Sequence, residues 1–130
     1  MIYLDYSANT PINKDVLESF NKVALNYPAN PNSLHSLGIK AKELIDASTK
    51  QIASILNVKE NEIIYTSDSS EANNLALKGI AYKYKNRGMH IITTELEHSS
   101  IYGPLNFLSS QGFTVDFVKL NEDGTVDLND

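Results

Sequence analysis

Residues 62–74, "EIIYTSDSSEANN", decide how the chain folds. Ile63, Ile64 and Tyr65 form a short continuous apolar run, the kind that a parallel strand buried on both faces shows. Residues 70–88, "SEANNLALKGIAYKYKNRG", then read as a helix with Leu75, Ile80 and Tyr84 inward, basic residues late and Gly88 at the C-terminal cap. A strand-to-helix turn aims unpaired backbone N–H groups and a helix's positive end at one spot, where open α/β sheets bind ligands. The loop has two readings. Asp68 or Ser69 caps the helix with Glu71 completing a capping box, or the serine hydroxyls and amides hold a phosphate. Neither a Walker phosphate loop nor a dinucleotide-binding glycine fingerprint occurs.

Working outward, the same rhythm repeats. "HIITTE" at 90–95 and "FTVDFVKL" at 113–120 read as strands on either side of a helix at 99–112, "SSIYGPLNFLSSQG", closed by Gly112. "NEDG" at 121–124 turns the chain toward "TVDLND", the start of another element. Strands alternating with helices predict an α/β fold with a βαβαβ parallel sheet. A helical segment comes first. "NKDVLESFNKVALNY" at 13–27 has Val16, Leu17, Phe20, Val23, Ala24 and Tyr27 at helical spacing, with Asn13 as N-cap. "PANPNSLHSLG" at 28–38 is a loop rich in turn formers. A longer amphipathic helix runs on to about Leu56, with Leu37, Ala41, Leu44, Ile45, Ser48, Ile52 and Ile55 on or near one face. Gly38 is its weak point, costing up to about 1 kcal/mol relative to Ala.

His98 lies in "TTELEHSS" (93–100), which ends the second predicted strand, so it falls at the same sheet edge as the serine loop. A histidine there is commonly a surface or capping residue, but from successive loops His98, Ser69 and Ser70 are able to line one pocket. A neutral imidazole in that place stacks on a flat ring or moves protons near pH 7. Composition bounds the rest. The 130 residues suit one domain with a real core; 42% are hydrophobic and 21% charged. The net charge of −5 argues against a nucleic-acid partner and against an acidic membrane surface. Without cysteine there is neither a disulfide framework nor a thiolate metal site, and no metal is expected. "MIYLDYS" lacks the pattern of a signal peptide, and no apolar run nears the roughly 18–20 residues of a spanning helix, so a cytoplasmic protein is the expectation.

Five stretches in order and register carry a resemblance. "IYLDYSANTP" (2–11), "NPNSLHSLG" (30–38), "TSDSSEANNLALKG" (66–79), "HIITTELEHSS" (90–100) and "GFTVDFVKLNEDGTVDL" (112–128) resemble the cysteine desulfurases, and they span essentially the whole chain. That family belongs to the class V aminotransferases, which use pyridoxal 5'-phosphate (PLP) on the large fold type I scaffold. The resemblance implies that residues 1–12 are an N-terminal arm and 13–130 the N-terminal part of the large domain, cut short at Asp130. It implies Ser69 and Ser70 as ligands of the PLP phosphate and His98 as the residue that stacks on the pyridine ring and assists proton transfer. It further implies an L-cysteine to L-alanine reaction that leaves sulfur on an enzyme thiol, for iron–sulfur cluster or thio-cofactor synthesis. An amino-acid substrate, a homodimer and a sulfur-acceptor protein go with it.

The departures carry expectations of their own. Asp68 stands where the family loop has glycine, Ser70 where it has threonine, and Asn9 where it has threonine. A carboxylate about 4 Å from a phosphate costs roughly 1 kcal/mol per charge pair in water and several times that in a sheltered site. The family's Schiff-base lysine, the aspartate on the pyridine nitrogen and the sulfur-accepting cysteine lie further along, and no lysine here stands at a matching position. The 130 residues alone are therefore expected to be inactive. A non-catalytic domain that has lost its cofactor, a selenocysteine lyase and another class V transferase stay open as alternatives.

Overall fold

The computed structural model describes residues 2–128 and 130. The chain forms two compact units, one ending at Ile64 and one beginning at Tyr65.

In the first unit, α1 (Lys14–Asn26) starts where expected. Asn13 is extended and its side-chain oxygen accepts from the Asp15 and Val16 N–H groups, satisfying two donors that the first turn leaves orphaned. Helix α2 (Ser36–Leu56) ends at Asn57, whose left-handed conformation (φ 54°) lets the Val58 N–H reach back to the Ala53 carbonyl. A single 3-10 turn, Glu60–Glu62, follows. The expected apolar face of α2 is covered only in part. Gly38, Ala41 and Ala53 are buried, whereas Leu37, Ile45, Ile52 and Ile55 remain exposed. A side chain is buried only where something covers it, and close cover here comes at Gly38. A Cβ built on Gly38 would lie 2.4 Å from the Ser33 carbonyl oxygen and 2.8 Å from that of Asn30. Gly38 is thus a point of close approach that no larger residue allows.

The second unit holds α3 (Ser69–Tyr84), β1 (His90–Thr94), α4 (Ser99–Ser110) and β2 (Thr114–Val118). Strands β1 and β2 pair in parallel from His90 opposite Thr114 to Thr94 opposite Val118, with α4 as the crossover between them. The core is Pro104, Leu105 and Leu108 of α4 with Phe113, and the Tyr82 ring meets Phe113 edge-on at 6.4 Å. Gly112, at φ +93°, turns the chain out of α4 in a conformation that favours glycine. At the C-terminal end Asn121 and Gly124 form a turn, and Leu120 bridges antiparallel to Val126.

Three local expectations are corrected. Residues 63–66 join no strand ladder among the described residues, so the sheet has two strands and not three. Ile63 is extended (φ −90°, ψ 123°), but extension becomes a strand only when a neighbour accepts its hydrogen bonds. Helix α3 ends at Tyr84, short of Gly88. Its inward face is Asn73, Leu77 and Ala81, at four-residue spacing, while Leu75, Ile80 and Tyr84 are exposed. Helix α3 packs against α4, and of its large aliphatic residues Leu77 is partly covered whereas Leu75 and Ile80 are exposed. Among the described residues no helix is long and apolar enough to cross a membrane.

Candidate functional site

The loop at 66–71 is built from carboxylate caps. Asp68 is the N-cap of α3, and its Oδ1 accepts from the Glu71 N–H at 2.9 Å. Glu71 does not reach back to the Asp68 N–H, as a capping box would have it. Its Oε2 instead accepts from the Ser67 N–H at 2.6 Å and the Ser67 hydroxyl at 2.8 Å, one residue further out. Those two donors hold the Glu71 carboxyl below its ordinary pKa, against the opposing charge of Asp68. Asp68 is fully extended (φ −160°, ψ −179°), so the position makes no demand for glycine's left-handed freedom.

With Asp68 and Glu71 so engaged, Ser69 and Ser70 occupy the first two positions of a 16-residue helix. Both are exposed, and among the described residues neither backbone N–H donates to a protein acceptor. Two amide donors, two hydroxyls and the positive end of the α3 dipole therefore face outward together. That donor set fits a phosphate, with the Asp68 and Glu71 charges as the opposing term.

His98 sits at the start of the next helix. The loop that carries it is held by the Tyr102 hydroxyl donating to the Glu95 carbonyl at 2.6 Å and by the Thr94 hydroxyl donating to Glu97 at 2.9 Å. His98 is the N-cap of α4, and its Nδ1 accepts from the Ser100 N–H at 3.2 Å. The ring is exposed, as a contact to a flat ligand would need. The sequence treats the capping and ligand readings of Asp68 and His98 as rivals, whereas here each cap leaves neighbouring groups outward.

The two helix starts are joined. Asn73 Nδ2 of α3 donates to Ser100 Oγ of α4 at 2.9 Å in a half-buried contact, and Ser100 Oγ lies 2.9 Å from His98 Nδ1. Ser69 and Ser70 precede Asn73 by one helical turn, so the serine pair and His98 belong to one connected end of the second unit. The sequence reading passed over Asn73 and Ser100. The available signal was the spacing: a serine two residues after a capping histidine, and an asparagine one turn after the serine pair.

Comparison with known proteins shows which family the chain resembles over its length. The family model described as aminotransferase class-V matches residues 2–130. Cysteine desulfurase IscS of Dictyoglomus turgidum is 36% identical over 129 residues, covering 99% of this chain and 33% of the relative. Cysteine desulfurase IscS of Clostridium botulinum (strain Kyoto / Type A2) is 41% identical, covering 99% of this chain and 32% of the relative. Among solved structures, a NifS-like protein superposes with a TM-score of 0.91 at 34% identity, over 98% of this chain and 35% of that one. SspA in complex with cysteine superposes at 0.81 with 38% identity, over 92% of this chain and 34% of that one. The chain thus spans about a third of the length of the relatives it matches.

Proposed function

The chain belongs to the aminotransferase class-V family, and from that premise we propose that it supplies the N-terminal part of a PLP-dependent cysteine desulfurase. The intact protein would convert L-cysteine to L-alanine and leave the sulfur on an enzyme thiol, for a sulfur-acceptor protein to collect. One observation carries the reading: two exposed helix starts, Ser69–Ser70 and His98, are joined through Asn73 and Ser100. The similarity to cysteine desulfurases supports the substrate class, as does the superposition on SspA in complex with cysteine.

Ser69 and Ser70 would hold the cofactor phosphate with their N–H and hydroxyl groups, aided by the α3 dipole. His98 would lie against the cofactor ring, keep water from that face and exchange a proton with the substrate at Nε2. When bound, PLP supplies the electron sink that allows the bond from carbon to sulfur to break. No cysteine is present in the 130 residues to accept the sulfur, and the resemblance would put the lysine that holds the cofactor further along the family's chain, outside these residues. These residues alone are therefore proposed to be inactive. A homodimer and a cytoplasmic location complete the proposal.

The test is the full-length protein with PLP, assayed for a visible absorbance band and for alanine and bound sulfur formed from L-cysteine. Selenocysteine and other amino acids are run alongside. His98→Ala should lower turnover by about 10²- to 10⁴-fold on this reading, the range for a proton-transfer residue, while the apo protein loses only what the α4 cap contributes, about 0.5–2 kcal/mol. A protein that takes up no PLP would overturn the reading in favour of a scaffold without its cofactor. Turnover confined to another amino acid would move it to another class V activity.

A further inference from the structure

The contacts around His98 have a direction. A backbone N–H can only donate, so the Ser100 N–H, in a long bond of 3.2 Å, favours His98 Nδ1 as acceptor and the ring proton on Nε2 without fixing them by itself. Asn73 Nδ2 also can only donate, so Ser100 Oγ accepts from it and has its own proton to give to Nδ1, 2.9 Å away. Every donor in the chain from Asn73 through Ser100 to His98 points toward the imidazole. Ser100 is thus held on one side by α3 and holds the ring on the other.

Such an arrangement exceeds what a cap requires. Capping α4 needs one acceptor for one N–H, and the Ser100 backbone already provides that bond. The hydroxyl and the Asn73 amide add nothing to the cap. They do fix the rotation of the imidazole and reinforce its tautomer. The first turn of α4 also has reason to need the strap. Pro104 lies within α4 and has no N–H to donate to the Ser100 carbonyl four residues earlier.

We infer that Ser100 and Asn73 are positioning residues that set the ring plane and the Nε2–H tautomer of His98 for its contact with the cofactor ring. The inference rests on the proposed PLP reading for its purpose, but not for its geometry. Because the strap joins the helix that begins with Ser69 and Ser70 to the one that begins with His98, it also keeps the phosphate donors and the stacking ring in a constant relation.

The experiment uses the full-length protein labelled with ring-15N histidine, with His98 assigned through His98→Gln. Spectra of the apo form are taken at about pH 8.5, above the ordinary imidazole range. The Nε2–H tautomer should dominate in the wild type. Ser100→Ala should move His98 toward a mixture of tautomers, and Ser100→Thr, which keeps the hydroxyl, should restore the wild-type pattern. Asn73→Asp, close in shape but lacking the donor, should act in the same direction as Ser100→Ala and replaces it should that variant not fold. In a parallel titration, Ser100→Ala should raise the Kd for PLP by about two- to tenfold, the equivalent of one hydrogen bond. An Nδ1–H tautomer in the wild type would overturn the inference, as would tautomer ratios and PLP affinity that ignore Ser100→Ala. If the tautomers respond as expected but PLP neither shifts the His98 nitrogens nor gains a visible band, the geometry holds and the cofactor reading fails. The positioning role then falls with that reading.

Discussion

Replacing Gly38 by alanine sets two rules against each other. Helix propensity alone says that Gly38→Ala, inside a 21-residue helix, should stabilise by up to about 1 kcal/mol. The surroundings say the opposite. The new Cβ would stand 2.4 Å from the Ser33 carbonyl oxygen and 2.8 Å from both the Asn30 carbonyl oxygen and the Ser33 Cβ. Two of these three neighbours are backbone atoms of a turn closed by the Ser33 N–H donating to Asn30, so none is the free end of a flexible side chain. Ordinary contact begins at 3.4 Å, so the turn must recede by about 1 Å. That movement also strains the Gly38 N–H bond to His35 Nδ1, the cap of α2. Overpacking of this kind costs about 1–3 kcal/mol, and backbone obstruction puts it in the upper part of that range. After the propensity gain, the net loss is about 1–2 kcal/mol.

Gly79 supplies the control. It lies inside α3, and a Cβ there would meet nothing within 4 Å. Gly79→Ala should therefore show the propensity gain alone, up to about 1 kcal/mol. Native-state hydrogen exchange reads both locally, at the first-turn amides of α2 and at the amides of α3. Faster exchange in the Gly38→Ala variant and slower exchange in the Gly79→Ala variant are expected. Slower exchange in both would refute the close-approach argument and return Gly38 to an ordinary helix glycine.

Glu71 has a lowered pKa because Ser67 donates to it twice, so its contribution is complete above the ordinary carboxylate value of 4.5 and fades as pH falls through the lower folded value. The Ser67 amide should therefore exchange more slowly than its sequence predicts at higher pH and lose that protection in the acidic window, and a Glu71→Gln variant should show no such window; a protection of Ser67 that does not change with pH in the wild type would contradict this. At Asp68, Asp68→Asn should keep the cap and leave the apo melting temperature unchanged while tightening PLP severalfold, and Asp68→Ala should lose about 1 kcal/mol of stability. Equal PLP affinity in wild type and Asp68→Asn would show that the charge is harmless to the cofactor.

What the sequence made legible was what depends on neighbours along the chain. The Asn13 cap, the run of α2 to Leu56, the exit at Gly112 and the position of His98 after a strand all rest on local chemistry. What stayed hidden depends on contacts made at a distance. The run at 63–66 has strand composition, but a strand requires a pairing neighbour that composition does not reveal. Apolar periodicity in α3 pointed to Leu75 and Ile80, while its packing uses Asn73, Leu77 and Ala81. Gly38 read as a defect because its constraint comes from the turn at Asn30–Ser33. The Asn73–Ser100 bond spans 27 positions of sequence, so local spacing puts each residue near a helix start but does not pair the two.

The aspartate in the serine loop draws these threads together. A capping carboxylate uses the same kind of amide donors as a phosphate, yet Asp68 takes only the third N–H of α3, that of Glu71. Ser69 and Ser70 keep theirs. Glu71 likewise spends its carboxylate on Ser67, outside the helix. Donor competition is thus removed by the geometry, and what is left between Asp68 and an incoming phosphate is charge acting through space. Charge repulsion is screened by salt, whereas a contested hydrogen bond is not. The gain in PLP affinity on Asp68→Asn should therefore shrink as ionic strength rises toward 1 M, where the Debye length falls to about 3 Å. A gain that persists undiminished at high salt would mean that the side chain obstructs the donors after all, and that the cap seen here gives way when the phosphate arrives.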